Sequence, residues 1–303
     1  MYERILVPLD GSSVAEAVLP YAEELAAKFG AELVLTSVYE PELPEMNNVY
    51  RSYLEHLTEQ VQRQSGHQRA KQEARTSVEV LMGNPATEIL QYIEKNNVGL
   101  VVMASRGASH GSASGGPWLM GNVASKLLQA AQKPVLLIRA PAPSTALRQR
   151  RLLKKILVPL DGSEAGEAAV PHVEALARAF DARVILFHVL ELAPVPVMVA
   201  PGIQIPYPLV TPEQGARAAV SILAYLEGVE KALTEKGVNA SSETSSGSPA
   251  VEIVNYAAGN AIDLIAMSTH ERSGIRHWVF GSVTEKVLQA ASTPILTVRG
   301  KMG

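Results

Sequence analysis

The stretch Ile5-Leu6-Val7-Pro8-Leu9-Asp10-Gly11-Ser12 returns, residue for residue, as Ile156-Leu157-Val158-Pro159-Leu160-Asp161-Gly162-Ser163, 151 positions later. The uncharged, apolar part of each copy predicts a short strand that is buried on both faces of a sheet. Asp, Gly and Ser favour turns, so each strand is predicted to end there. The repeat therefore divides the 303 residues into two halves of ordinary domain size.

A helical pattern follows each copy of this stretch. Ser13 and Glu16 have the spacing of a capping box, which predicts Ser13 as the helix cap. Gly30 is the expected end of the first helix, because glycine readily adopts the left-handed conformation of a helix end. Asp181 ends the second helix. The apolar faces consist of Ala17, Tyr21, Leu25 and Phe29 in the first half and Ala168, Leu176 and Phe180 in the second.

Strands alternate with helices through the rest of both halves, which predicts the α/β class with two doubly wound parallel five-stranded sheets. We predict one domain over residues 1–140, a linker over 141–153 and a second domain over 154–303. Leu192–Thr211 is apolar and broken by prolines. It is predicted to be either a loop packed over its own domain or a docking surface for a partner protein.

The composition excludes several classes of function. A net charge of −3 provides no basic surface for nucleic acid or acidic lipid. The absence of cysteine excludes disulfides, thiol catalysis and cysteine-ligated zinc. No apolar run is long enough to span a bilayer, and no signal peptide fits before the first strand. A cytoplasmic protein without membrane or nucleic-acid partners is therefore expected.

Several features in a fixed order resemble the universal stress protein family. They are the strand ending in Pro8-x-Asp10, the second strand ending at Val38, the Gly83-x-Pro85 helix start, the run through Gly121 into a helix, and the final Pro-Val-Leu strand. The resemblance covers nearly the whole chain, twice. It implies a Rossmann-like fold, similar to adenine nucleotide alpha hydrolases, with strand order 3-2-1-4-5 and pseudo-two-fold symmetry. It also implies that the domains pair through their fifth strands within one chain, with a homodimer as a further option.

Many members of that family bind ATP, and the resemblance carries the site over to this chain. In the first half it includes Pro8, Asp10 and Val38, with the last two beside the adenine; Asp161 and Val189 hold the matching places in the second half. The phosphates of the family lie in a loop with two early glycines and a later Gly-Ser or Gly-Thr pair. Glycines suit this role because backbone N–H groups can then approach phosphate oxygens closely.

Each half departs from the phosphate loop of the family in a different way. The first half has Ala104, Gly107 and Gly121-Asn122, with thirteen residues between the two glycines where the family has nine. The second half keeps the spacing of nine before Gly281-Ser282. Its two leading glycines, however, are replaced by Ser268 and Glu271.

The first half is favoured as the nucleotide site, because Gly107 and the glycine-rich insertion leave backbone available there and because the second half carries Glu271. The insertion could equally fill the pocket. A carboxylate about 4 Å from a phosphate charge costs roughly 4 kcal/mol at an effective dielectric near 20. The side chain avoids that repulsion only if it turns away, if arginines offset it, or if Mg²⁺ bridges it to phosphate. No protein metal site is predicted, since no His/Glu cluster has ligand spacing.

The leading hypothesis is a stress-response regulatory protein that binds ATP without significant turnover. The sequence contains neither a Walker loop nor a nucleophile elbow, and no set of base, nucleophile and oxyanion donors supports catalysis. The alternative is a member that binds no nucleotide and acts as a dimerisation or docking scaffold for an unknown protein partner. A slow ATPase is a third option.

Overall fold

The fold is described from a computed structural model of the chain. It describes residues 1–65, 75–107, 120–139, 152–191, 195–200, 203–207, 212–269 and 281–300. The side chains of 64–65, 195–200, 203–207, 212–216 and 218 are not included in the description.

The first half alternates strands and helices as the sequence pattern predicts. Its elements are β1 (Arg4–Pro8), α1 (Ser13–Glu16), α2 (Leu19–Phe29), β2 (Glu32–Tyr39), α3 (Met46–Ser65), β3 (Thr76–Met82), α4 (Pro85–Lys95), β4 (Leu100–Ala104), α5 (Asn122–Ala130) and β5 (Val135–Ile138).

The second half follows the same plan, with a hairpin added before its longest helix. Its elements are β6 (Lys155–Pro159), a 3₁₀ turn (Gly166–Ala169), α6 (Val170–Phe180), β7 (Arg183–Leu190), β8 (Val195–Ala200), β9 (Ile203–Tyr207), α7 (Pro212–Glu235), β10 (Ala240–Ser246), α8 (Pro249–Gly259), β11 (Leu264–Thr269), α9 (Ser282–Ala290) and β12 (Ile295–Arg299).

The order of the strands confirms the predicted topology in both halves. The first half reads β3-β2-β1-β4-β5 and the second β10-β7-β6-β11-β12, which is 3-2-1-4-5 in each case. The five strands of each of these two sheets are parallel, whereas β12 pairs antiparallel with β5. The two five-stranded sheets are thereby continuous, as a single sheet of ten strands.

Two apolar layers cover the two faces of this sheet, and each layer runs through both halves. In β1, Ile5 and Val7 belong to one layer and Leu6 to the other. This alternation is that of a strand buried on both sides, which is why the repeated stretch has no polar face. The layer containing Ile5 includes α2 and α6 side chains, and the layer containing Leu6 includes α4, α5, α8 and α9 side chains.

The predicted helix ends are confirmed. Gly30 ends α2 with φ 62°, and Asp181 ends α6 with φ 48°. Both residues therefore adopt the left-handed conformation that ends a helix. In the first half, however, the predicted single helix is divided into α1 and α2, and α2 begins at Leu19 with Pro20 in its first turn.

The prediction of a loop over Leu192–Thr211 is wrong in part, because the backbone there forms the antiparallel hairpin β8–β9. Pro196 lies opposite Pro206 in this pair. Prolines are tolerated on edge strands, and both strands of an isolated hairpin are edges. Of the predicted linker, 141–151 lies outside the described residues, while Leu152 and Leu153 are buried in the core.

Side-chain contacts also join the two halves. Tyr2 is buried, its hydroxyl forms a 2.8 Å hydrogen bond with His172 Nδ1, and the two rings stack. Arg139, at the end of β5, donates to the carbonyl of Leu288 in α9. Thr297 Oγ1 donates to the carbonyl of Val135 at 3.3 Å. The seam between the halves is thus held by polar contacts as well as by strand pairing.

Candidate functional site

The turn after β1 is organised by the side chain of Asp10. Its Oδ1 accepts hydrogen bonds from the backbone N of Ser12 at 3.1 Å and from Ser12 Oγ at 2.6 Å. Ser12 Oγ in turn accepts from the backbone N of Ala15 and caps α1. The prediction that Ser13 is the cap is therefore wrong by one residue. The Asp-Gly-Ser turn ends in the extended conformation at Ser12 that a cap requires.

The second oxygen of Asp10 meets the end of β4. A Cβ atom added to Gly107 would overlap with Asp10 Oδ2. No side chain fits at this position unless the aspartate moves, so the glycine allows the ends of β1 and β4 to approach each other. Two residues that the sequence singled out are thus brought together, although they lie 97 positions apart in the chain.

The phosphate side of the predicted site is formed by the start of α5. The backbone N of Gly121 donates to the carbonyl of Ser105 at 2.8 Å, which holds the helix start beside the end of β4. Asn122 is exposed as the first residue of the helix, and no side chain caps it. The first amides of such a helix lack intrahelical acceptors and favour an anion.

The remaining predicted residues of the first half have structural surroundings. Pro8 ends β1 and is half-buried, and Ala104 is buried at the end of β4. Val38 is half-buried and packs against the apolar layer that contains Leu6. No described contact joins Val38 to Asp10, so its place beside an adenine stays a prediction.

The second half repeats the aspartate turn. Asp161 Oδ1 accepts from the backbone N of Ser163 at 2.9 Å and from its Oγ at 2.6 Å. At the end of β11, Ser268 Oγ donates to the carbonyl of Gly166 at 2.6 Å and accepts from the backbone N of Ala169 at 3.1 Å. Ser268 therefore binds the chain's own 3₁₀ turn.

The other predicted site residues of the second half have similar surroundings to their counterparts in the first half. Val189 is half-buried against the same apolar layer as Val38. Gly281 precedes α9 without a side-chain cap, and Ser282 is its exposed first residue. Glu271 and the rest of 270–280 lie outside the described residues, as does 108–119 in the first half. The expected repulsion by Glu271 thus stays a prediction.

A tyrosine from the long helix of each half lies near the aspartate turn, and sequence reasoning missed both. Tyr53 of α3 donates to Glu16 Oε1 at 3.0 Å. Burial, then the Glu16 carboxylate, raises the pKa of Tyr53, and Asp10 adds to the effect. Tyr225 of α7 has a pKa raised by burial and by Glu167, although its hydroxyl makes no well-formed hydrogen bond to a described group.

The hydroxyl groups of both tyrosines are protonated at physiological pH, because the ordinary pKa of tyrosine is about 10 and both values are shifted upward. An alignment of the two halves could have drawn attention to this region. It matches Glu16 with Glu167, the carboxylates beside the two tyrosines, at the 151-position offset of the repeat.

Two further polar groups below the turns were also missed. Ser37 Oγ donates to the buried carbonyl of Leu9 at 2.8 Å. In the second half, His188 Nδ1 lies 2.7 Å from the carbonyl of Leu160. Each group hydrogen-bonds the carbonyl of the residue directly before the aspartate. Side chains of β2 and β7 therefore help to fix the start of the two turns.

The described parts of the chain contain no group of three or more His, Cys, Asp or Glu side chains arranged to hold a metal ion. Among the described helices, none is both long and apolar enough to cross a membrane.

The model of the universal stress protein family matches residues 1–139 and again 153–299. The chain belongs to the universal stress protein family. Universal stress protein Slr1230 of Synechocystis is 26% identical over 98% of this chain and 100% of its own length, so it is similar to both halves together. Universal stress protein MJ0531 of Methanocaldococcus jannaschii is 34% identical over 49% of this chain and 83% of its own length.

Among solved structures, a universal stress protein from Archaeoglobus fulgidus matches with a TM-score of 0.71 and 17% identity, covering 99% of both chains. At that level of identity the likeness concerns the fold alone. It agrees with the α/β architecture of this tandem universal stress protein.

Proposed function

We propose that this universal stress protein binds an adenine nucleotide, ATP, in its first half, and serves as a stress-response regulatory module without significant turnover. The observation that carries the proposal is the contact of Asp10 with Gly107, beside a helix start that faces the same edge of the sheet. Ligands of open parallel sheets bind at the carboxyl ends of the strands, where the strand order reverses.

The chemistry of this edge suits a nucleotide. The Asp10 carboxylate is held in place by Ser12 and accepts hydrogen bonds, as a partner for nucleoside N–H or O–H groups must. The amides at the start of α5 suit the phosphate end, because an uncapped helix start favours negative charge. An accompanying Mg²⁺ would be held chiefly by phosphate oxygens, since Mg²⁺ often binds through substrate phosphates with few protein ligands.

A binding role without turnover is favoured over an ATPase. The described hydrogen bonds of Asp10, Ser12 and Tyr53 hold the turn and cap α1, which are structural roles. Tyr53 is held protonated by its surroundings, so it is unsuited to act as a base at neutral pH. A cytoplasmic location is proposed with this role.

Equilibrium dialysis of the full-length chain with labelled ATP tests the proposal. We expect binding to the unaltered protein, and at least tenfold weaker binding for Asp10→Ala. Glu55→Ala is the matched control, because it removes a carboxylate from an exposed position in the same half. The proposal fails if the unaltered chain binds no ATP, or if both variants bind equally well.

The second candidate function is a docking scaffold for an unknown protein partner. It is favoured by two exposed apolar side chains on α7, Val220 at 68% and Leu223 at 44% exposure. A partner captured equally with and without ATP, and lost on Val220→Ser with Leu223→Ser, would support this function. Capture that requires ATP would instead support the nucleotide-binding function.

A further inference from the structure

A chain of hydrogen bonds crosses the carboxyl edge of the second half. It begins where Ser163 Oγ donates to Asp161 Oδ1, and Ser163 Oγ accepts from the backbone N of Gly166 at 3.0 Å. The carbonyl of Gly166 accepts from Ser268 Oγ, and Ser268 Oγ accepts from the backbone N of Ala169. The aspartate turn of β6 is thereby tied through the 3₁₀ turn to the end of β11.

The same chain continues to the helix start on the phosphate side. Thr284 of α9 is buried, and its Oγ1 donates to the carbonyl of Ser268 at 3.3 Å. The 3₁₀ turn also lies against the end of β12, since a Cβ added to Gly300 would lie 2.7 Å from the carbonyl oxygen of Ala165. The ends of β6, β11 and β12 are thus in contact with this turn or with its partners.

The first half has alanines at the two positions that supply these hydroxyl groups. Ala104 corresponds to Ser268, and Ala124 corresponds to Thr284. The turn bonds within itself instead, with the backbone N of Val18 donating to the carbonyl of Ala15 at 3.4 Å. Position 104 supplies no hydroxyl, so the two hydrogen bonds that Ser268 makes to the turn of the second half have no counterpart at this position.

We propose that Ser268 is a lock that keeps the second crevice closed, so that one nucleotide binds per chain, in the first half. This inference rests on the proposed function. A ligand entering between the aspartate turn and β11 must separate groups that Ser268 joins by two hydrogen bonds. The second half then serves as a fixed partner for the first, although it retains the aspartate turn.

Transplanting the lock into the first half provides the sharpest test. In the full-length chain, Ala104→Ser introduces a hydroxyl at the position that corresponds to Ser268, and we expect it to bond the carbonyl of Ala15 and the amide of Val18, which correspond to Gly166 and Ala169. We expect ATP to bind at least tenfold more weakly, and hydrogen exchange at the Val18 amide to slow by at least tenfold. Conversely, Ser268→Ala should speed exchange at the Ala169 amide by at least tenfold, with the Val18 amide as the internal control.

The possible outcomes separate this inference from the proposed function. One ATP per unaltered chain, with weaker binding to Ala104→Ser, supports the lock. Two ATP molecules per unaltered chain, or unchanged affinity in Ala104→Ser, overturns the lock and leaves nucleotide binding standing. If no ATP binds to the unaltered chain, the proposed function fails, and unchanged exchange at Ala169 in Ser268→Ala overturns the lock independently.

Discussion

In the first half, the segment after β4 meets the aspartate turn at Gly107. A Cβ atom placed on Gly11 of that turn would have no described atom within 4 Å. In the second half, Ser268 joins the same elements by hydrogen bonds, and Ile222 of α7 lies 3.4 Å from a Cβ placed on Gly162. The two halves share an identical stretch of eight residues, yet the strand end meets the aspartate turn at a glycine in the first half and through serine hydrogen bonds in the second.

This difference shows that the two copies differ at the strand ends, whereas the strands of the repeated stretch are buried in both. Burial of apolar side chains is non-directional and depends mainly on area, so many residues suffice in a core. A hydrogen-bonded edge depends on single polar atoms. The hydroxyl of Ser268 makes two hydrogen bonds that the alanine at the corresponding position 104 cannot make. The following predictions test both the likeness of the cores and the difference of the edges.

The largest expected effect is a matched loss in the two cores. Leu6 and Leu157 occupy the same place in β1 and β6, and both are fully buried. Leu6→Ala and Leu157→Ala should each lower the free energy of unfolding by about 2–5 kcal/mol, through lost burial and the cavity left behind. Urea titration measures this. A large loss in one variant with almost none in the other would show that the cores are not equivalent.

A smaller loss is expected where the first edge is tightest. Gly107→Ala should lower the free energy of unfolding by about 1–3 kcal/mol, because its methyl group must displace the Asp10 carboxylate. Gly228→Ala is the matched control: it lies in α7 with nothing within 4 Å, and should stabilise by about 0.5–1 kcal/mol. Equal stabilities for the two variants would contradict the contact of Asp10 with Gly107.

The seam between the halves should respond next. Arg139→Gln removes a cationic donor from the Leu288 carbonyl near the end of α9, and we expect a loss of about 1–2 kcal/mol. Arg63→Gln breaks only an exposed ion pair with Glu59 and should cost less than about 0.5 kcal/mol. Thermal unfolding of both variants measures the two losses of stability. A larger loss in Arg63→Gln than in Arg139→Gln would count against the contact between Arg139 and Leu288.

The smallest effect is a dependence of stability on pH. We expect it from His172 in the second half and not from the matching position of the first half. Burial, and then the N-terminal ammonium, lowers the pKa of His172. The unfolded chain, with an ordinary value of about 6.5, therefore takes up a proton at a higher pH than the folded protein does. Stability is thus complete above about pH 6.5 and decreases as the pH falls through that value toward the lower, folded pKa.

The counterpart of His172 in the first half is Tyr21, which does not gain a proton in this range. His172→Tyr should therefore remove the part of the pH dependence that this group contributes. Melting temperatures of both proteins between pH 5 and pH 8 measure the difference. Parallel curves for the two proteins would show that His172 does not carry the effect.

Much of the fold was predictable because its signals are local or periodic. The buried alternation of β1, the left-handed ends at Gly30 and Asp181, and the duplicated pattern all follow from neighbouring residues. The helix cap was misassigned because Ser12 and Ser13 are both serines with suitable neighbours. The orientation of the chain after Gly11 decides between them, and this depends on the turn that Asp10 holds.

The sequence by itself determined that this protein has two α/β halves with the same strand order, since eight repeated residues and matching periodicity are readable without contacts. Only the tertiary structure decided that the Asp10 carboxylate meets Gly107, that Tyr53 bonds Glu16, and that Ser268 ties β11 to the 3₁₀ turn. These contacts join residues distant in the chain, and their existence depends on distances of a few tenths of an ångström, which no pattern of residue types encodes.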